Sequence, residues 1–157
     1  MIQIVIIAVG TIKKNYFREG IEEYAKRLSL DAKIKIEEIK NEPFFDNSNS
    51  EKIKNLEGEK IINSLRKYEQ SKIILLHEKG KEFDSLEWAD FLKDNSLEKM
   101  VFVIGGALGL SESVLSYPGA IKISLSKMTF PHEMVRLILF EQIYRGIAIS
   151  KNKKYHY

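Results

Sequence analysis

Residues 2–10, Ile2-Gln3-Ile4-Val5-Ile6-Ile7-Ala8-Val9-Gly10, are a near-continuous apolar, β-branched run closed by a glycine. Such a run reads as a strand buried on both faces, the kind that parallel sheets use. Downstream the pattern alternates. From Asn15 to Leu30, Phe17, Ile21, Tyr24 and Leu28 recur at helical spacing and predict an amphipathic helix. Lys33 to Ile39 alternates around Ile34 and Ile36, as a half-exposed strand near a sheet edge does. Asn41 to Ser50 is polar and turn-rich apart from Phe44 and Phe45, which marks a loop. Helical period returns over Glu51 to Tyr68 through Ile53, Leu56, Ile61, Leu65 and Tyr68, and Ile73 to Leu76 is a short buried strand. Asp84 and Glu87 make a capping box ahead of a helix carrying Leu86, Ala89 and Leu92. Val101 to Ile104 is a strand that runs into Gly105-Gly106. Ser111 caps a short helix ending before the turn Tyr117-Pro118-Gly119, and Ala120 to Leu125 is the last strand. Pro131 then sits in the first turn of a long final helix reaching about Ile149. The alternation predicts an α/β fold, a mostly parallel sheet flanked by helices, in one domain over residues 1–157.

Composition narrows the function. A chain of 157 residues suits one domain, and 44% hydrophobic residues exclude wholesale disorder. The absence of Cys excludes a disulfide framework, a Cys-ligated metal and thiol catalysis, and fits a reducing, cytoplasmic location. The longest apolar runs, near Val5 and Ile104, fall short of the roughly 18 residues of a membrane span. The opening also lacks the basic segment of a signal peptide, so no membrane partner is expected. His77, His132 and His156 are far apart, with no His or Cys at ligand spacing, so no metal is expected either. A net charge of +3 is compatible with a nucleic-acid partner without requiring one.

In parallel α/β sheets ligands bind beyond the carboxyl ends of the strands. That singles out the loops after Leu76, Ile104 and Leu125. Gly105-Gly106-Ala107-Leu108-Gly109 lets backbone approach a ligand, or simply packs a tight strand–helix turn. It has neither the dinucleotide fingerprint nor a phosphate-loop lysine. Ser124 to Glu133 joins a strand end to a helix start. Its hydroxyls, Met128 and Phe130 suit a pocket for a nucleoside-like ligand, unless it is a plain connecting loop capped by Thr129 or Phe130. On the final helix, apolar nearly all round, His132 and Arg136 share one face, as do Glu141 and Arg145. These are either capping and an ion pair, or groups beside a substrate anion. A helix so apolar also suggests a second subunit against it. The tail, with Lys151, Lys153, Lys154, Tyr155, His156 and Tyr157, interleaves cations with rings as RNA-contacting segments do, though charged tails are often merely solvated.

Several of these stretches resemble one family. The opening IVIIAVGTIK with Tyr16-Phe17, Phe102 to Gly106 with Gly109-Leu110, Leu125-Ser126-Lys127-Met128-Thr129-Phe130-Pro131-His132, Arg136, Glu141 to Arg145 and Tyr155-His156 are similar to the ribosomal RNA large subunit methyltransferase H family of the SPOUT superfamily. The likeness runs end to end. Ala107-Leu108 and His77-Glu78-Lys79 depart from the family's usual pattern. The resemblance implies a C-terminal trefoil knot, a homodimer, and methylation by S-adenosyl-L-methionine of N3 of a pseudouridine in helix 69 of 23S ribosomal RNA. It also implies action on the ribosome. By family pattern the cofactor meets Leu76, Gly105 and the run Leu125, Ser126, Lys127, Met128, Thr129 and Phe130. His132, Arg136 and Arg145 are the expected catalytic groups, and Lys153, Lys154, Tyr155 and His156 the expected RNA contacts. The competing readings are a non-catalytic, ribosome-associated RNA-binding module and a nucleotide-binding enzyme of another reaction type.

Overall fold

The computed structural model describes residues 1–46 and 49–155. Strands β1 (Ile2–Val9), β2 (Ala32–Ile39), β3 (Lys72–Lys81), β4 (Lys99–Ile104) and β5 (Ile121–Ile123) form one sheet in the order β2-β1-β4-β3-β5, with every neighbouring pair parallel. Helices α1 (Asn15–Leu28), α2 (Ser50–Leu65), α3 (Ser85–Asp94), α4 (Glu112–Leu115) and α5 (His132–Ser150) flank it. The α/β architecture is as expected. Among the described residues no helix is long and apolar enough to cross a membrane.

β1 shows why a continuous apolar run makes a central strand. Successive side chains point to opposite faces. Ile4, Ile6 and Ala8 pack with Ile21 of α1, Leu92 of α3 and Leu139 of α5. Val5, Ile7 and Val9 pack with Ile61 and Leu65 of α2 and Val114 of α4. β4 repeats this, Met100, Phe102 and Ile104 facing one way and Val101 and Val103 the other. β2 is an edge strand: Lys33, Lys35 and Glu38 are solvated, Ile36 is exposed against the expected alternation, and Glu37 is half-buried, accepting from Ser64 and Tyr68.

Several elements differ from expectation, and β5 covers only Ile121–Ile123 of the expected Ala120 to Leu125. α1 stops at Leu28, where the Asp31 amide bonds back to the Leu28 carbonyl and turns the chain into β2. α2 buries Glu57 rather than its neighbour Leu56. Pro131 lies just outside α5, with φ −54° and ψ 140°, and the helix begins at His132. β3 does not end at Leu76 but reaches Lys81, because Lys81 pairs again with Ile123 after a register shift.

Gly80 permits that second pairing. A Cβ there would stand 2.6 Å from the Ile123 backbone, where no side chain can swing aside. Gly80→Ala is expected to destabilise the fold by about 1–3 kcal/mol, each kcal/mol being about 2–4 °C of Tm in a chain of this size. Thermal unfolding followed by circular dichroism checks this, and an unchanged Tm would mean that β3 and β5 separate without penalty.

Candidate functional site

Because the strands are parallel, their carboxyl ends share one rim of the sheet. There residues 76–78 of β3, within its register shift, and the loops leaving β4 and β5 enclose a cavity of about 580 Å³, closed on one side by the start of α5. Its size is that of a site for a drug-sized ligand. Leu76, Gly105, Leu125, Ser126, Met128, Thr129 and Phe130 all line it; Lys127 does not, and its side chain is exposed. Leu76, Ile104, Leu110, Leu125 and Val135 make the walls largely apolar.

Local sequence explains the shape of the loops. The turn after β4 doubles back: the Gly109 amide donates to the Gly106 carbonyl at 3.0 Å. A Cβ on Gly105 would stand 2.7 Å from the Gly109 carbonyl carbon, so the fold requires glycine there. The turn after β5 is braced by its serines. Ser124 Oγ donates to the Ser126 carbonyl at 2.9 Å, and Ser126 Oγ accepts from the Met128 amide at 3.0 Å.

His132 opens α5 at the rim. Its ring lies against Gly10, whose φ of +87° carries the chain out of β1; a Cβ on Gly10 would stand 3.4 Å from His132 Nε2. Burial pulls the imidazole pKa below its ordinary value, Arg136 and Lys13 act in the same direction, and Glu133 opposes them. A helix N-terminus likewise disfavours the cationic form. The result is a neutral imidazole facing a cavity. Glu133 anchors the helix start, its carboxylate accepting the backbone amides of Lys13 and Lys14.

On the far side of His132 lies a second cavity of about 280 Å³, lined by Gly10, Phe44, Glu57 and Leu108 among others. The two cavities share Gly106, Ala107 and His132.

The structure separates the remaining expected site residues from this rim. Arg136 is only 2% exposed, so it does not stand beside a substrate anion. Its Nη1 donates to Glu38 at 2.5 Å and its Nη2 to the Gly10 carbonyl at 3.0 Å, and its charge is thus answered within the chain. Arg145 pairs with Glu141 at 2.6 Å, with its guanidinium 5.0 Å above the Tyr155 ring. At 1.5 Å of rise per residue it lies about 20 Å along α5 from His132. Lys153 is tied to Asp31 at 2.9 Å, beside Lys151 at 2.5 Å, and Lys154 is exposed. Tyr155 packs edge-on against Tyr144 at 4.7 Å. His156 and Tyr157 lie outside the described residues.

Two groups escaped the sequence reading. Glu38 looked like an ordinary solvated charge of an edge strand. Glu57 carried a usable signal, since Ile53, Glu57, Ile61 and Leu65 follow at four-residue steps and place a carboxylate in an apolar stripe.

A family model described as "Predicted SPOUT methyltransferase" matches residues 2–156. A protein of Pelotomaculum thermopropionicum is 43% identical over 163 residues, covering 100% of both chains. One of Carboxydothermus hydrogenoformans is 42% identical over 160 residues, covering 98% of this chain and 99% of its own. One of Clostridium botulinum is 43% identical over 160 residues, covering 98% of each. All three bear the name "Ribosomal RNA large subunit methyltransferase H". Among solved structures, a probable methylase family protein from Haemophilus influenzae aligns with a TM-score of 0.55 at 12% identity, over 100% of this chain and 72% of that one; the likeness is one of fold.

Proposed function

The chain belongs to the SPOUT methyltransferase family, and from that premise we propose that it is a ribosomal RNA methyltransferase that uses S-adenosyl-L-methionine to methylate N3 of a pseudouridine in helix 69 of the large-subunit RNA. The observation that carries this reading is the cavity of about 580 Å³ built from the middle of β3 and two strand-end loops, apolar in its walls and with Gly105, Gly106 and Gly109 in its lining. An adenosyl group fits such a lining. Leu76, Leu125 and Phe130 suit the flat base, and Gly105 and Gly106 allow backbone to approach a ligand closely.

When bound, the cofactor supplies an electrophilic methyl carbon on a sulfonium. The chain's own part is to bring the acceptor nitrogen into line with that carbon, which contributes much of the rate enhancement, and to take the imide proton from N3. His132 is placed to take that proton, since it faces the cavity and is held neutral. Arg136 acts as a positioning residue, fixing the second turn of α5 to the ends of β1 and β2 through Gly10 and Glu38. Arg145, Lys153, Lys154, Tyr155 and His156 belong to the RNA-side surface of a cytoplasmic homodimer. There one copy's tail completes the other's pocket, since within one chain α5 holds the two apart. The trefoil knot of the family belongs to the same reading.

The test is transfer of a labelled methyl group from S-adenosylmethionine to ribosomes or their isolated RNA, followed by mass spectrometry of the nucleosides. One methylated pseudouridine is expected. No transfer, together with no heat of cofactor binding at millimolar concentration, would replace this reading with that of a non-catalytic RNA-binding module.

A further inference from the structure

The second cavity, on the far side of His132, lies outside the lining assigned above to the cofactor, apart from the shared Gly106, Ala107 and His132. Glu57, in its wall, is 4% exposed; among the described residues its carboxylate receives one hydrogen bond, from the Glu42 amide to Oε1 at 3.0 Å, and Oε2, itself buried, has no partner. A carboxylate offers about four acceptor positions, and leaving one buried and under-satisfied opposes folding. Burial accordingly pushes its pKa up, against the Glu42 amide and Lys60. Oε2 lies 2.9 Å from where a Cβ on Gly106 would stand, so the carboxylate backs onto the turn that divides the two cavities. Across the same space Phe44 presents a partly exposed ring, and Val9 and Ile53 add apolar wall.

An aromatic face, apolar walls and one under-satisfied acceptor beside a neutral imidazole describe a pocket for a planar heterocycle with an N–H on its edge. We infer that the second cavity receives the acceptor base, stacked on Phe44 and giving an edge N–H to the Glu57 carboxylate, while His132 at the shared rim faces the nitrogen to be methylated. A base reached by chemistry of this kind leaves its stack to enter such a pocket. Pseudouridine carries one ring N–H more than uridine, so an acceptor at this wall tells the two apart. The inference rests on the methyltransferase reading above and adds the place and the reader of the acceptor.

The test uses the full chain and hairpin RNAs carrying either pseudouridine or uridine at the target position. Glu57→Gln keeps an acceptor for the Glu42 amide but turns an NH2 toward the base. It is expected to lower kcat/KM for the pseudouridine hairpin about 30-fold or more and to shrink the preference over uridine. Cofactor affinity should stay within twofold and Tm should not fall, because a buried charge has been removed. Phe44→Ala, at a partly exposed loop position, is expected to raise KM for RNA about tenfold, the size of one base–aromatic stack, with kcat little changed. Activity within twofold of wild type in both variants overturns the inference. So does a parallel loss of cofactor affinity, which assigns the cavity to the cofactor instead. A wild-type protein that methylates no ribosomal RNA defeats the function itself, a result separable from losses confined to the variants.

Discussion

His132→Gln is expected to slow methyl transfer about 10²–10⁴-fold, the usual contribution of a positioned general base, while leaving cofactor affinity within about twofold. Glutamine preserves polar reach at the rim but cannot take up a proton. The pH profile supplies the sharper readout. Burial, with help from Arg136 and Lys13, holds the His132 pKa below its ordinary 6.5. A depressed histidine is neutral, and competent as a base, at all pH above that lowered value. The acid limb of kcat in the wild type therefore falls below pH 6.5, and the glutamine variant loses the limb altogether. A limb at or above pH 6.5, or a variant with near-normal turnover, would remove His132 from the reaction.

What could be seen in the sequence depended on how far away the deciding partner lay. β1 and β4 announce themselves, because burial on both faces of a parallel strand demands a run that no other element explains so well. The loop after β5 was legible for a similar reason, its serines and Met128 bonding within the loop itself. The end of β3 was not, since Lys81 continues the strand only because Gly80 clears the backbone of Ile123, more than 40 residues on. Leu56 and Glu57 are adjacent, and hydrophobicity alone favours Leu56; it is the seating of α2 over β1 that turns Glu57 inward. His132, Arg136 and Arg145 share one helix and read as one set. Yet Arg136 is claimed by Glu38, 98 residues earlier, and Lys151 and Lys153 by Asp31, 120 and 122 residues earlier. Charge patterns within one segment carry no information about such distant counterions.

Arg136→Met is expected to be the most destabilising of these substitutions. The guanidinium is buried, bonded to Glu38 through Nη1 and to the Gly10 carbonyl through Nη2, with Nε unpartnered among the described residues. Glu38 is 39% exposed and water can take up its charge, so the loss is that of a charge-assisted hydrogen bond plus an unsatisfied Gly10 carbonyl, about 2–4 kcal/mol, roughly a 10 °C fall in Tm for a chain of this length. Arg136→Lys keeps the charge but as a single point, without the planar fork that spans both acceptors, and should fall between. Glu38→Gln strands the cation, and the double variant should lose less than the two singles together, by a coupling of about 0.5–3 kcal/mol. Stability alone does not separate a brace from a positioning residue, and the pH profile does. Arg136 sits four residues from His132 on the same face of α5, and its charge helps to hold that imidazole neutral. In the methionine variant, assayed well below its lowered Tm, the acid limb of kcat should move to higher pH. A limb that stays in place would make Arg136 a brace for the strand ends and nothing more; a limb that moves ties the α5–β1–β2 junction to the proton transfer at the rim.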